Sequence, residues 1–290
     1  MLNHRKPQAS CPCCNSTEWL RRWPGFVICR SCGMMTVEAI YSTQDLERFY
    51  QEDYFQGREY IDYLGDKASQ QKTLAYALRT VQRHVLPGGR ILEIGCAYGF
   101  FLELIAAIYP NSVGIDVSSV AVSHARRQGL DARQGDLLEM ELSERFDAVC
   151  LWDTIEHLAK PVEVLERASH ALRPGGYLFL TTGDFGSLVA RLQGLRWRQI
   201  HPPTHLFYFT RPALQAMCGR IGFVALEFKT TRVYRRLGSA LEALNRFHAQ
   251  SLSGRCARLG LRTLSNRLLN WDVPLSLDTV CLTARMRSDR

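Results

Sequence analysis

From residue 68 onward, the hydrophobic positions switch between a helical and a strand period. Leu74, Ala77, Leu78 and Val81 recur at helical spacing over Ala68–His84, and Pro87-Gly-Gly closes that segment. Short apolar runs then alternate with amphipathic stretches. They predict strands over 90–95, 112–117, 131–135, 146–152 and 176–182, with helices over 99–109, 118–128 and 160–172. Such alternation predicts a parallel sheet with helices on both faces. A helix over Arg211–Ile221 and late strands over 224–234 and 279–287 bring the strand total to seven. Between those strands, Leu237, Leu241, Leu244, Leu252, Leu259, Leu264 and Leu268 fall roughly on one side of a Leu/Arg-rich helical pair.

The stretch Ile91 to Phe100 runs a buried strand into a small-residue turn that opens a helix. Glycine lets backbone approach a ligand closely, and a helix start offers free N–H groups. Asp116 ends the second strand, where an acid suits the two hydroxyls of a ribose. Gly135-Asp136 and the strand Phe146–Trp152 follow. No Gly-Lys-Ser/Thr follows the turn, which excludes a P-loop. A nicotinamide site and a merely tight strand-to-helix turn remain open on the residues alone.

In this order the elements resemble the motifs of class I S-adenosylmethionine-dependent methyltransferases, over roughly residues 70 to 230. Leu172 to Leu180 resembles that family's entry to strand five. The resemblance implies a Rossmann-like seven-stranded α/β sheet. It also implies that Glu93, Gly95 and Gly99 surround the methionine part of S-adenosylmethionine, that Asp116 holds the ribose, and that Asp136 with Leu137 faces the adenine. Ala97, Val117 and Trp152 complete the implied cofactor-binding set. The family usually has glycine where Ala97 stands.

Cys11-Pro-Cys-Cys14 and Cys29-Arg-Ser-Cys32 form two C-x-x-C turns, with Gly33 after the second. Thiolates of Cys11, Cys14, Cys29 and Cys32 at this spacing predict a closed structural zinc site, with Cys13 as a competing ligand. Trp19, Trp23 and Phe26 lie in an intervening hairpin. The alternative is a set of free thiols or a redox pair. A cysteine knuckle pair before a methyltransferase core resembles a group of bacterial enzymes acting on sugars and secondary metabolites, in which the module helps wall the substrate site.

The formal net charge is +8, and nine Lys or Arg against the single acid Glu242 fall between Lys229 and Arg267. A basic amphipathic segment of this kind can rest on anionic lipid, so peripheral contact with the inner membrane face is one expectation. Aromatic residues are not interleaved with this charge near the expected cleft, which argues against nucleic acid. The polar first residues and the absence of a long apolar run lead to a cytoplasmic expectation.

The expected organisation is a zinc-ribbon module over 1–40, a linker and cap over 41–85, and a methyltransferase domain over 86–290 with a lid at 183–210 and the basic helical segment at 236–271. Methyl transfer needs alignment of donor and acceptor, and a base where the acceptor is a hydroxyl or carbon acid. Two stretches supply candidates. Asp153, Glu156 and His157 resemble the Glu-x-x-Glu-His run of ubiquinone-pathway O-methyltransferases, which holds a divalent ion, although aspartate replaces the first glutamate. The lid's His201, His205 and Tyr208 are candidates to orient or deprotonate an acceptor. His157 as a turn histidine, and Pro202-Pro203 as a stiffener with His205 packed behind it, are the plainer readings.

The sequence therefore leads to an S-adenosylmethionine-dependent methyltransferase acting by O- or C-methylation on a small molecule, a saccharide or a lipid-linked saccharide. The alternatives are a non-catalytic zinc-ribbon module that binds nucleic acid or protein, fused to a degenerate methyltransferase fold, and an NAD-dependent oxidoreductase.

Overall fold

Continuous short apolar runs here build a sheet buried on both faces. The computed structural model describes residues 9–39, 41, 63–247, 250–274 and 278–288. An N-terminal hairpin, β1 (Trp19–Trp23) and β2 (Phe26–Cys29), is followed by β3 (Met35–Val37). Then come α1 (Lys67–Gln82), β4 (Ile91–Ile94), α2 (Phe100–Ile105), β5 (Val113–Asp116), α3 (Ser119–Arg127), β6 (Ala132–Gln134), β7 (Phe146–Trp152), α4 (Pro161–Ala171) and β8 (Leu172–Gly183). The chain continues through α5 (Leu188–Gln193), β9 (Phe207–Tyr208), α6 (Arg211–Ile221), β10 (Phe223–Thr231) and β11 (Tyr234–Arg236). It ends with α7 (Leu237–Phe247), α8 (Leu252–Thr263), α9 (Asn266–Leu269), β12 (Asp272–Pro274) and β13 (Thr279–Met286).

The central sheet has seven strands in the order β10-β13-β8-β7-β4-β5-β6. Only β13 opposes its neighbours in direction. Every residue of β4 is buried, as expected of a strand covered on both faces. One face packs against α1, α2 and α3 through Val81, Phe101, Ile105 and Val122. The other packs against α4 and α6 through Val164, Leu165, Leu214 and Met217. Helix starts follow local chemistry. Ser118 Oγ accepts from the Ala121 N–H at 3.3 Å, and Thr210 Oγ1 accepts from the Ala213 N–H at 3.2 Å.

Several boundaries differ from the sequence expectation. The helix expected over 99–109 stops at Ile105, because the chain turns to bury Tyr109, whose hydroxyl donates to the Val85 carbonyl at 2.9 Å. Strand β8 starts at Leu172, which pairs with Phe146 ahead of the expected run. Strand β10 ends at Thr231, in register with Thr279 and through it with Gly183, while Tyr234 leaves to pair with Pro274. Residues 42–62 of the linker and cap expected over 41–85 lie outside the described residues.

The N-terminal hairpin does not stand alone. Strand β9, from the expected lid, is the fourth strand of its sheet, in the order β1-β2-β3-β9. Met35 faces Tyr208 and Thr36 faces Phe207. Thr36 Oγ1 donates to the Leu206 carbonyl at 3.0 Å, and Thr210 Oγ1 donates to the Cys32 carbonyl at 2.6 Å.

Candidate functional site

The turn after β4 holds three residues in the left-handed region: Gly95 at φ 75°, Ala97 at 45° and Gly99 at 78°. A Cβ on Gly95 would fall 2.5 Å from Thr154 Cγ2, and one on Gly99 would fall 2.7 Å from Leu130 Cδ1. Glycine is therefore required at both by conformation and by space. Ala97 adopts the same region at a cost of about 1–2 kcal/mol. Its N–H donates to Asp116 Oδ2 at 2.8 Å, while Asp116 Oδ1 accepts from the Ser118 N–H at 2.9 Å. The carboxylate at the end of β5 thus organises the turn after β4.

Glu93 is buried, and its Oε2 has no hydrogen-bond partner. Burial, with the Asp116 charge second, pushes its carboxyl well above the usual range. Trp152 Nε1 is a second buried polar atom without a partner, and its ring meets Phe101 edge-on at 5.1 Å. A ligand carrying an ammonium and hydroxyl groups satisfies such orphaned groups, so the site fits S-adenosylmethionine. Asp136 Oδ1 accepts from the Leu138 N–H at 2.9 Å, and Leu137 is buried. Val117 follows Asp116 directly at the same carboxyl end of the sheet.

At the end of β7 the chain enters Asp153, at φ 47°, and a 3₁₀ turn over Ile155–His157. The turn and the lid meet here, because the Leu206 N–H donates to the Glu156 carbonyl at 2.9 Å. His157 and His205 lie with ring centroids 4.4 Å apart, and His201 and His205 3.8 Å apart. His157 Nδ1 contacts the Thr204 carbonyl at 2.8 Å and His205 Nδ1 the Gln199 carbonyl at 2.9 Å. A carbonyl only accepts, so both Nδ1 atoms carry hydrogen, and Nε2 bears the lone pair of each neutral ring. Burial lowers His157 to about 4 and His201 to about 3. The Tyr208 hydroxyl donates to the His205 carbonyl at 3.0 Å from a buried position, so Tyr208 holds the lid histidine in place.

Glu156, His157 and His205 each bring a ligand atom within 4.8 Å of the others. Asp153 is not in this group. Of the expected set of Asp153, Glu156 and His157, the structure thus brings Glu156 and His157 together with the lid's His205. Glu156 is buried with Oε2 unpartnered, and burial, then the Asp153 charge, raises it to about 8.

In the N-terminal hairpin, Cys11 Sγ and Cys32 Sγ are 3.6 Å apart and Cys14 Sγ and Cys29 Sγ 3.5 Å apart. These separations exceed a disulfide bond and approach the edge of about 3.8 Å that a zinc–sulfur tetrahedron requires. Each knuckle closes in the same way. The Asn15 N–H donates to the Cys11 carbonyl and the Gly33 N–H to the Cys29 carbonyl, and both Asn15 and Gly33 take positive φ. Cys13 stands outside the four-sulfur group and contacts Met34 Sδ at 3.4 Å. The cluster is compatible with zinc.

Two groups went unnoticed in the sequence. Asp278 is buried and accepts from Trp197 Nε1 at 2.6 Å and from Arg198 at 3.0 Å, and Thr182 is buried beside the Glu156 carboxyl. Trp197 lies 81 positions from Asp278, so no local pattern reveals the pair. A cleft of about 640 Å³ opens between the ribbon, the lid and the start of α6, lined by Gly33, Asp184, Ser187, Arg191 and Arg211. It contains no cofactor-turn residue. A smaller recess beside Trp152, Asp153, Thr181 and Val233 adjoins the end of β7, and neither recess is lined by His157 or His205.

Comparison with known proteins agrees with this geometry. A methyltransferase domain family matches residues 59–227. The ubiquinone biosynthesis O-methyltransferase of Azorhizobium caulinodans is 34% identical over 157 residues, covering 49% of this chain and 61% of that protein. The protein of the same name from Hahella chejuensis is 33% identical over 110 residues, covering 35% and 46%. The chain thus spans about half to three-fifths of the length of these relatives. The magnesium protoporphyrin IX methyltransferase of Synechocystis PCC 6803, solved with bound SAH, superposes with a TM-score of 0.54 at 14% identity, covering 84% of this chain and 100% of that one. The [4+2]-cyclase SpnF superposes at 0.50 and 21% identity, covering 73% and 80%. At these identities the solved structures share the fold alone. Because the family match runs from before α1 into β10 and takes in every parallel strand of the sheet, the chain belongs to the S-adenosylmethionine-dependent methyltransferase domain family.

Proposed function

We propose that this protein methylates a hydroxyl of a small molecule or saccharide, with His157 and His205 taking up the departing proton. S-adenosylmethionine, when bound, supplies an electrophilic methyl at its sulfonium. Glu93 holds the methionine ammonium, Asp116 the ribose hydroxyls, and Asp136 with Leu137 the adenine. The observation that carries the reading is the meeting of His157 and His205, ring to ring at 4.4 Å, at the end of β7. Both rings direct Nδ1 into backbone carbonyls, which leaves Nε2 the basic atom of each. Burial keeps both imidazoles neutral and weakly basic, so they suit general-base work on an acidic hydroxyl such as a phenol or enol. His201 supports His205, and Tyr208 fixes its backbone.

The test is a pair of variants, His157→Ala and His205→Ala, assayed with acceptors that copurify with the protein. General-base loss lowers kcat by about 10²–10⁴, while calorimetry shows unchanged S-adenosylmethionine affinity. Full activity in both variants overturns the reading. Folded protein that gives no heat with S-adenosylmethionine supports a binding module instead, and heat with NAD supports an oxidoreductase.

A second reading of the same turn rests on the unpartnered Glu156 Oε2. A divalent ion held by Glu156, His157 and His205 would lower the pKa of a bound hydroxyl. Elemental analysis decides: Glu156→Gln loses one ion per chain while zinc, which we assign to Cys11, Cys14, Cys29 and Cys32, stays. Equal metal content in both proteins removes this reading.

A further inference from the structure

Two insertions rise from the carboxyl end of the sheet, where Gly183, Thr279 and Thr231 lie in register. The first follows β8 and carries α5. There Leu188 is 76% exposed and Leu192 87%, and Arg191 and Arg196 are exposed beside them. The second runs from β11 to β12 and carries α7, α8 and α9. On it Leu252 is 77% exposed, Leu259 61% and Trp271 63%, with Arg255, Arg262 and Arg267 exposed among them. Monomeric surfaces seldom gather large apolar side chains in this way without a partner.

The second insertion is firmly seated. Asp66 accepts from Arg236 and Ser239, and Asp272 pairs with Lys72 and Ser69, which ties the insertion to α1 and its N-cap. Leu237 N–H donates to the Trp271 carbonyl at 2.8 Å. Val233, just before β11, lines the recess that also holds Trp152 and Asp153. The insertion thus borders the end of β7.

Charge selects the occupant. Residues 250–271 contain four arginines and no acid. A second copy would set guanidinium against guanidinium, whereas lipid phosphates neutralise them and acyl chains receive the leucines and Trp271. No helix among the described residues is long and apolar enough to cross a membrane, so the contact is one of lying on the surface. We propose that this end of the molecule docks on an anionic phospholipid bilayer through α8 and α9. The docking stands independently of the methyl acceptor. If the methyltransferase reading holds, it implies that the acceptor is an amphiphile taken up at the bilayer surface.

The test uses the full chain, zinc-loaded, with vesicles of phosphatidylglycerol and phosphatidylcholine or of phosphatidylcholine alone. Co-sedimentation with the anionic vesicles only, weakening with salt, and a blue shift of tryptophan emission that is absent in Trp271→Phe are expected. Replacing Arg255, Arg262 and Arg267 together by serine lowers partitioning on the order of a hundredfold, and Leu252→Ser with Leu259→Ser abolishes it. Calorimetry with S-adenosylmethionine shows that each variant is folded, and its failure in the parent protein would strike the methyltransferase reading without touching the docking. No partitioning, equal partitioning to both vesicles, or vesicle-independent self-association that Leu259→Ser removes overturns the proposal.

Discussion

At the scale of single residues, the cofactor turn is a balance between strain and hydrogen bonding. Ala97 holds φ 45° because its N–H is anchored on Asp116. Ala97→Gly removes the steric cost and raises stability by about 1 kcal/mol, a rise in Tm of roughly 2–4 °C for a domain of this size, measurable by calorimetry. An unchanged or lower Tm rejects this account of the turn. Glu93 yields a prediction with a sign. Its folded pKa is raised by burial and by Asp116, so in the empty site the carboxyl retains its proton above the normal range, and folding gains stability as pH falls through that raised value. An arriving ammonium favours the ionised form. Binding of S-adenosylmethionine therefore releases a proton and tightens as pH rises, and titration in buffers of different ionisation enthalpy reads the release directly. Glu93→Gln abolishes the release and weakens binding. Proton uptake, or none, sinks this assignment. Glu93, Gly95, Gly99 and Asp116 were legible because a strand, a turn and the next strand's end are local along the chain. Trp197 and Asp278 were not, since only the folded sheet brings them together.

At the scale of elements, the lid is held less by its own sequence than by the strand it lends to the hairpin. Strand β9 is two residues long, too short to show a period, so Phe207 and Tyr208 read as lid and not as sheet. The alternation of strands and helices needed no such help, because β7 and β8 each carry an apolar run of four residues or more, and β4 and β5 each hold a single acid in four otherwise apolar residues. At the joint between the two sheets the Leu206 carbonyl accepts from Thr36 Oγ1 and from the Val37 N–H, while the Leu206 N–H donates to the Glu156 carbonyl on the other side. Thr36→Val keeps the shape and deletes the first bond, which costs about 1 kcal/mol. Because the same residue bridges to the turn of His157, kcat falls while S-adenosylmethionine affinity holds. A drop in affinity with kcat intact would place Leu206 outside the reacting end of the site.

At the scale of the whole molecule, the cysteine cluster and the methyltransferase sheet share one core. Cys11, Cys29, Cys32 and Met34 belong to the same buried cluster as Leu151, Leu180, Leu214 and Leu282, and Arg220 donates to the Pro12 carbonyl at 2.5 Å from the end of α6. Four thiolates give a closed tetrahedral site, so a zinc there stabilises the fold and its removal is a folding perturbation. The perturbation has a direction. From the knuckles it passes to β3, from β3 to β9 and from β9 to His205, whereas β4 and β5 with Glu93, Gly95 and Asp116 are held by the parallel strands around them. Stripping the metal with a chelator is therefore expected to increase amide hydrogen exchange in residues 26–37 and 199–210 together. Exchange at 91–99 should stay near its original rate, S-adenosylmethionine affinity should be retained, and turnover should be lost. Exchange that rises only in 26–37 would uncouple the ribbon from the lid. Exchange that rises equally across the chain would show that the metal supports the core as a whole, with no separate hold on the histidine lid.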